Sequence, residues 1–177
     1  MTSSIEKIKA VLQPQIQLFP KRKSVNEQGY DEWSYLVRGL SIIEETDENQ
    51  ERRLEEELAF IKETGIADFF WFIYTSWEAL YYNGGGYLTG DMEAFYCLHY
   101  LSVVKENTLN KPFNASCFKN GLPKLIFCVP IGKAVWFVEY LEKTYNNVFK
   151  KMGNGYQLAG ILQIEIIEKV GICEKNF

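Results

Sequence analysis

A chain of 177 residues, 47% apolar and 15% aromatic, can bury one sizeable core without metal or disulfide staples. A net charge of -4 argues against a dedicated nucleic-acid binder, which normally carries a basic face, so nucleic-acid contact is expected to be weak or absent. Four scattered cysteines without a C-x-x-C pair, and a single histidine, make no zinc set; free thiols, no metal and no cofactor are expected. With no apolar leader and no run of membrane-spanning length, the sequence points to a soluble cytoplasmic protein with no membrane partner.

In chain order, Ser3 and Glu6 have capping-box spacing, and Ile5, Ile8, Val11 and Leu12 recur at helical intervals. Pro14 should end this helix, because a proline inside a helix removes a hydrogen bond and clashes with the preceding turn. Residues 14–29 then read as a loop. Asp31 is placed to cap a second helix with an apolar face of Trp33, Leu36, Val37, Leu40 and Ile43. Asp47 and Gln50 open a third, highly charged helix whose core stripe is Leu54, Leu58 and Ile61, with Gly65 as its left-handed stop. "IADFFWFIYTSWEALYY" is apolar on nearly every side and should be the central buried helix.

"NGGG", Asn83 to Gly86, must be a turn or a close approach of backbones. Helical spacing returns from Asp91 to about Glu106, a polar loop follows to Gly121, and Leu125–Val129 between Pro123 and Pro130 reads as a buried strand. Val135, Val138, Leu141 and Tyr145 mark another helix within 131–145. In the last segment "LQIEII" alternates as a strand does, while Leu158, Ile161, Leu162 and Glu165 suit a helix; the helix is the favoured reading. The sum is a mostly helical α+β fold with a small sheet, in a single domain over 1–177: an N-terminal helix and loop over 1–29 and a body over 30–177.

One collinear set of matches runs from about Phe19 to Ile172. Arg53-Leu54-Glu55-Glu56-Glu57-Leu58, then Gly65-Ile66-Ala67-Asp68-Phe69-Phe70, resemble in order and spacing a glutamate-rich helix and the turn after it in the palm of the bacterial replicative DNA polymerase III alpha subunit, the C-family polymerases. "YDEWSYLVRGL" upstream and "VEYLEKTYNNV" and "GNGYQLAG" downstream are similar to that family's flanking segments. The resemblance implies a polymerase palm-like, nucleotidyltransferase-like small sheet flanked by helices, without the family's other domains.

Phosphoryl transfer of that kind needs two divalent metals clamped by carboxylates, and two of the family's acids alternate along a strand so as to share a face. Laid on that motif, the stretch after Pro123 puts Lys124 and Ile126 at the acidic positions, with Cys128 two further on. A lysine repels a metal and an isoleucine cannot bind one. The family's Gly-Arg-Gly-Ser loop, which receives the triphosphate, corresponds to "NGGGYLTGD", which has no arginine and adds Asp91; Leu158 and Gly160 stand where lysine is frequent. The resemblance therefore implies a palm whose polymerase chemistry has been lost, with no catalytic residue.

Binding is what remains. "QIQLF", with Gln15, Ile16, Leu18 and Phe19, resembles the peptide by which replication proteins dock on the bacterial sliding clamp: Gln15 would anchor, and Leu18 and Phe19 would fill an apolar pocket from an extended segment. The alternative is that these residues pack the loop onto the domain. Trp77, Tyr81 and Tyr82, at the polar end of the aromatic helix, are a candidate partner surface against a plain core role. His99 is expected to be a hydrogen-bonded core histidine, and "PKRK" (20–23) and Lys150-Lys151 to be solvated lysines. The expected function is thus an inactive polymerase III alpha-like domain that binds a replication protein, the sliding clamp or the replicative polymerase, as an accessory or inhibitory factor of a phage or other mobile element. The alternatives are a nucleotide-binding or nucleotidyl-transfer enzyme with a rebuilt site, and a structural interaction module.

Overall fold

The computed structural model describes residues 4–20 and 29–172. The Ser3 cap and the lysines of "PKRK" lie outside the described residues, as does Cys173. Four helices come first: α1 (Ser4–Leu18), α2 (Tyr30–Ile43), α3 (Glu48–Thr64) and α4 (Ala67–Tyr81). Then come β1 (Tyr87–Thr89), the short α5 (Tyr96–Tyr100), β2 (Leu125–Pro130), α6 (Ala134–Thr144), β3 (Phe149–Met152), β4 (Gly155–Leu158) and β5 (Leu162–Lys169). The five strands form one mixed sheet in the order β1-β2-β5-β4-β3, with β2 and β5 parallel and the other pairs antiparallel.

Helix α3 opens on the expected reciprocal cap between Asp47 and Gln50 and closes at Gly65, φ 73°. Helix α4 buries Ala67 through Ile73 without a break, and its Phe69, Phe70 and Phe72 form the middle of the core. Trp33 of α2 packs on Phe70 and Trp71, and Phe19 meets Phe69 and Phe72 edge-on, both at 6.0 Å between centroids.

Helix α1 runs through Pro14 to Leu18 instead of stopping. The lost backbone bond, which costs about 3 kcal/mol in an ordinary helix interior, is set against packing on both sides of the proline: Leu12 is fully buried, Phe19 nearly so, and Ile16 lies against the core. Helix α2 begins at Gly29 rather than being capped by Asp31. The indole Nε1 of Trp71 donates to the Gly29 carbonyl at 2.9 Å, and a Cβ at Gly29 would sit 3.1 Å from that ring, so a core tryptophan fixes where α2 starts.

The expected helix over 91–106 is broken into a 3-10 turn (Asp91–Ala94), the five-residue α5, and a turn leading to an isolated bridge at Val104. Phe95 is extended and Ser102 sits at φ 73°, and the Val103 carbonyl accepts from the Leu88 amide at 2.8 Å, so Val103 and Val104 face the sheet edge. The favoured helix at the C-terminal end is also overturned: residues 149–169 are three strands. Ala159 and Gly160 have left-handed backbones that no helix tolerates in series, and β5 lies between β2 and β4, where each side takes a row of backbone hydrogen bonds. The alternation of "LQIEII" was the meaningful signal.

One face of the sheet is core. Leu125, Phe127 and Val129 of β2 stand in register with Ile164, Ile166 and Glu168 of β5, and the Phe127 ring packs on Phe137 of α6 at 5.2 Å. On the other face the same registers gather Lys124, Ile126 and Cys128 with Glu165 and Ile167, flanked by Tyr87 and Thr89 on β1 and by Gln163, Gln157 and Lys150 toward β3. Lys124, Lys150 and Gln163 are exposed there, and Ile126, Glu165, Ile167 and Gln157 are half-buried.

Candidate functional site

Ile126 is on β2 and Lys124 immediately precedes the strand, two residues back, and both lie on this second face. Their neighbour is Glu165, which the sequence reading did not single out. It is in register with Ile126 on the parallel strand β5, and one of its carboxylate oxygens lies 2.5 Å from the Lys124 Nζ. Both side chains are partly in solvent, so the pair is screened and modest in energy. Chemically it places an ammonium where a divalent ion would have to sit to use Glu165. Among the described residues no group of three His, Cys, Asp or Glu side chains is arranged to hold a metal.

The "NGGGYLTGD" loop leads into β1 beside this position. Gly86 passes so close to β2 that an added Cβ would come 2.9 Å from the Cys128 carbonyl oxygen, which accounts for a glycine at that place. At the loop's end Glu93 folds back: its Oε1 accepts from the Gly90 amide at 2.7 Å and from the Thr89 hydroxyl. An amide that could receive a phosphate oxygen is thereby taken by the chain's own carboxylate, and the exposed Asp91 adds a second negative charge alongside. Leu158 is buried in β4 and Gly160 lies in the turn after it, so neither presents a cation.

The "QIQLF" segment is helical up to Leu18. The Gln15 Oε1 accepts the Leu122 amide at 2.7 Å, tying the end of α1 to the approach to β2. Phe19 is 3% exposed and Ile16 lies on the core, while Leu18 is 62% exposed. An extended docking peptide would need all four side chains turned outward; here only Leu18 is.

Trp77, Tyr81 and Tyr82 continue a run of ring contacts along α4. Tyr74 meets Trp77 at 5.7 Å, Trp77 meets Tyr81 at 5.2 Å, and Tyr81 meets Tyr82 at 5.2 Å. Trp77 is mostly buried and donates through Nε1 to the Gly86 carbonyl at 3.1 Å, which makes it a strut for the glycine loop; Tyr82 is the exposed end. His99 is half-buried rather than in the core, and its Nδ1–H donates to the Val104 carbonyl at 3.3 Å, so the expected hydrogen bond is present without the expected full burial.

A second polar centre was legible only as part of an acidic helix. Glu57 is fully buried and accepts from Arg53 Nε and from the Tyr96 and Cys97 amides, each at 2.7 Å. Arg53, itself buried, spends its other donors on the Lys111, Thr108 and Ala94 carbonyls. The pair pins α5 and the 107–113 loop to α3. Desolvation pushes the Glu57 carboxyl above its usual range against the pull of those hydrogen bonds, and burial with Glu57 alongside pushes the Cys97 thiol well up. Arg53 spends its donors inside the fold, which makes the pair a clasp between α3, α5 and the 107–113 loop.

No family model, no curated protein and no solved structure matches this chain. No helix among the described residues is long and apolar enough to cross a membrane.

Proposed function

We propose that the chain is a catalytically silent, polymerase III alpha-like palm domain that works by binding a protein of DNA replication, as an accessory or inhibitory factor. The observation that carries this reading is the Lys124–Glu165 pair. At the strand positions where the resembled palm holds its metal-binding acids, this chain has Lys124 and Ile126, and the carboxylate beside them is neutralised by Lys124. The glycine loop supports the same reading, because Glu93 occupies its Gly90 amide. A five-stranded mixed sheet with helices on one face is an architecture on which such a palm could be built, although fold alone assigns no activity.

Two partners follow from the reading, the sliding clamp and the replicative polymerase. Docking on the clamp through Gln15, Ile16, Leu18 and Phe19 would require the end of α1 to unwind and Phe19 to leave the core. Docking through the polymerase would use an exposed face such as the one ending at Tyr82. Biolayer interferometry of the immobilised chain against purified bacterial clamp and against purified polymerase alpha subunit tests both. Saturable binding to either supports the reading, and Leu18→Glu should abolish a clamp interaction without unfolding the domain. Magnesium-dependent deoxynucleotide binding would instead favour a rebuilt enzyme.

A further inference from the structure

The geometry points to the second face of the sheet as a docking surface for an acidic polypeptide segment. This rests on the reading that the chain acts by protein binding, and it names the chemistry of the partner. Four lysines converge on this face although the whole chain is negative, at -4. Lys124, immediately before β2, and Lys150 of β3 flank the row of Glu165, Gln163 and Gln157. Lys169, at the end of β5, lies against the Tyr87 hydroxyl, and the Lys105 Nζ sits 4.1 Å over the Tyr87 ring. Glu165 is the one carboxylate of the strands on this face, and Lys124 takes it; at the β1 edge Glu93 is held by the Thr89 hydroxyl and the Gly90 amide, which leaves Asp91 as the exposed acid beside the lysines. Lys105, Lys150 and Lys169 are exposed and form no ion pair among the described residues.

Three observations favour carboxylates of a polypeptide over a nucleic-acid backbone. The strands carry no arginine, the side chain whose planar fork suits phosphate. The one aromatic ring that the registers place there, Tyr87, is half-buried and already covered by Lys105, so it offers no free platform for a base. The long-range field of an acidic chain also opposes a polyanion as dense as DNA far more than it opposes a short acidic segment. The dimensions suit the smaller ligand. Five strands span about 19 Å, the length of roughly six extended residues. A cavity of about 500 Å³ whose lining includes Lys124, Met152, Tyr156, Gln157, Gln163 and Glu165 gives the segment a seat at the Lys124 end of this face.

The test is fluorescence anisotropy at low ionic strength with a labelled (Glu-Ser)6 peptide as probe and a labelled dodecathymidylate as competitor class. The intact chain should bind the peptide saturably, and at least as tightly as it binds the oligonucleotide. Lys105→Ala/Lys150→Ala/Lys169→Ala should weaken peptide binding at least tenfold. A control triple, Lys7→Ala/Lys119→Ala/Lys143→Ala, should change it less than twofold, and thermal melts should show both triples still cooperatively folded, since all six lysines are exposed and the test triple loses only the two contacts to Tyr87. Absence of saturable peptide binding, equal loss in the control triple, or tighter binding of the oligonucleotide would each overturn the inference. Nucleotide titration bears on the non-catalytic reading and leaves this result untouched, so the two can fail separately.

Discussion

The ammonium of Lys124 and the carboxylate of Glu165 meet at 2.5 Å, two residues out of direct register, since Glu165 stands opposite Ile126. The pair occupies a position that two substitutions would make wholly acidic. Lys124→Asp with Ile126→Asp places two alternate carboxylates at the start of β2 beside Glu165, three oxygen donors of the kind that divalent cations require. Calorimetric titration of the double variant with manganese is expected to show saturable binding that the wild type lacks. Lys124→Ala alone should cost at most about 1 kcal/mol, since the pair is half in solvent.

The buried clasp should behave otherwise. Arg53→Ala or Glu57→Gln strands buried partners, and each should lower stability by about 3–5 kcal/mol in urea titrations. Replacing both by apolar residues often rescues a buried pair. Here it should not, because the carbonyls of Ala94, Thr108 and Lys111 and the amides of Tyr96 and Cys97 would lose their partners together.

Phe19 and Gln15 belong to the fold before they belong to any partner. Phe19→Ala should cost about 3–5 kcal/mol as a cavity between Phe69 and Phe72, and Gln15→Ala about 1 kcal/mol through the Leu122 amide. A loss of clamp binding in either variant therefore counts only beside a melting curve showing the domain still folded. Leu18, exposed on the same turn, is the cleaner probe.

Burial, reinforced by Asp91, pushes the Cys117 thiol up to about 12. With a pKa that high, the thiolate fraction at pH 8 is about one in ten thousand. In a Cys173→Ser background the native chain should therefore react slowly with iodoacetamide. The rate should climb about tenfold per pH unit from pH 7 to 10, while Cys97 and Cys128, both buried, stay protected until the chain unfolds. Fast labelling of Cys117 at pH 7 would contradict its burial.

The helical half of the fold was legible because its signals are local. The Asp47–Gln50 cap, the Gly65 stop and the apolar run of α4 each depend on residues within a turn or two of one another. What was missed depends on partners far along the chain. Pro14 stays helical because Phe19 reaches α4; α2 starts at Gly29 because Trp71 holds its carbonyl. The break at Phe95 follows from Glu57, thirty-nine residues away from Tyr96, taking the amides of α5. For β5 the alternation was visible, and the helical spacing that competed with it was coincidental. Lys124 and Ile126 were legible as candidate positions, whereas Glu165 was not, because only the parallel pairing of β2 with β5 brings it beside them.

In the proposed reading, Lys124 and Glu93 close what would be a phosphoryl-transfer site. Isothermal titration of the wild-type chain with a deoxynucleoside triphosphate in excess magnesium tests it most directly. The expected result is heat of dilution alone up to millimolar nucleotide. A saturable, magnesium-dependent isotherm that Lys124→Ala strengthens or Glu165→Gln abolishes would contradict it.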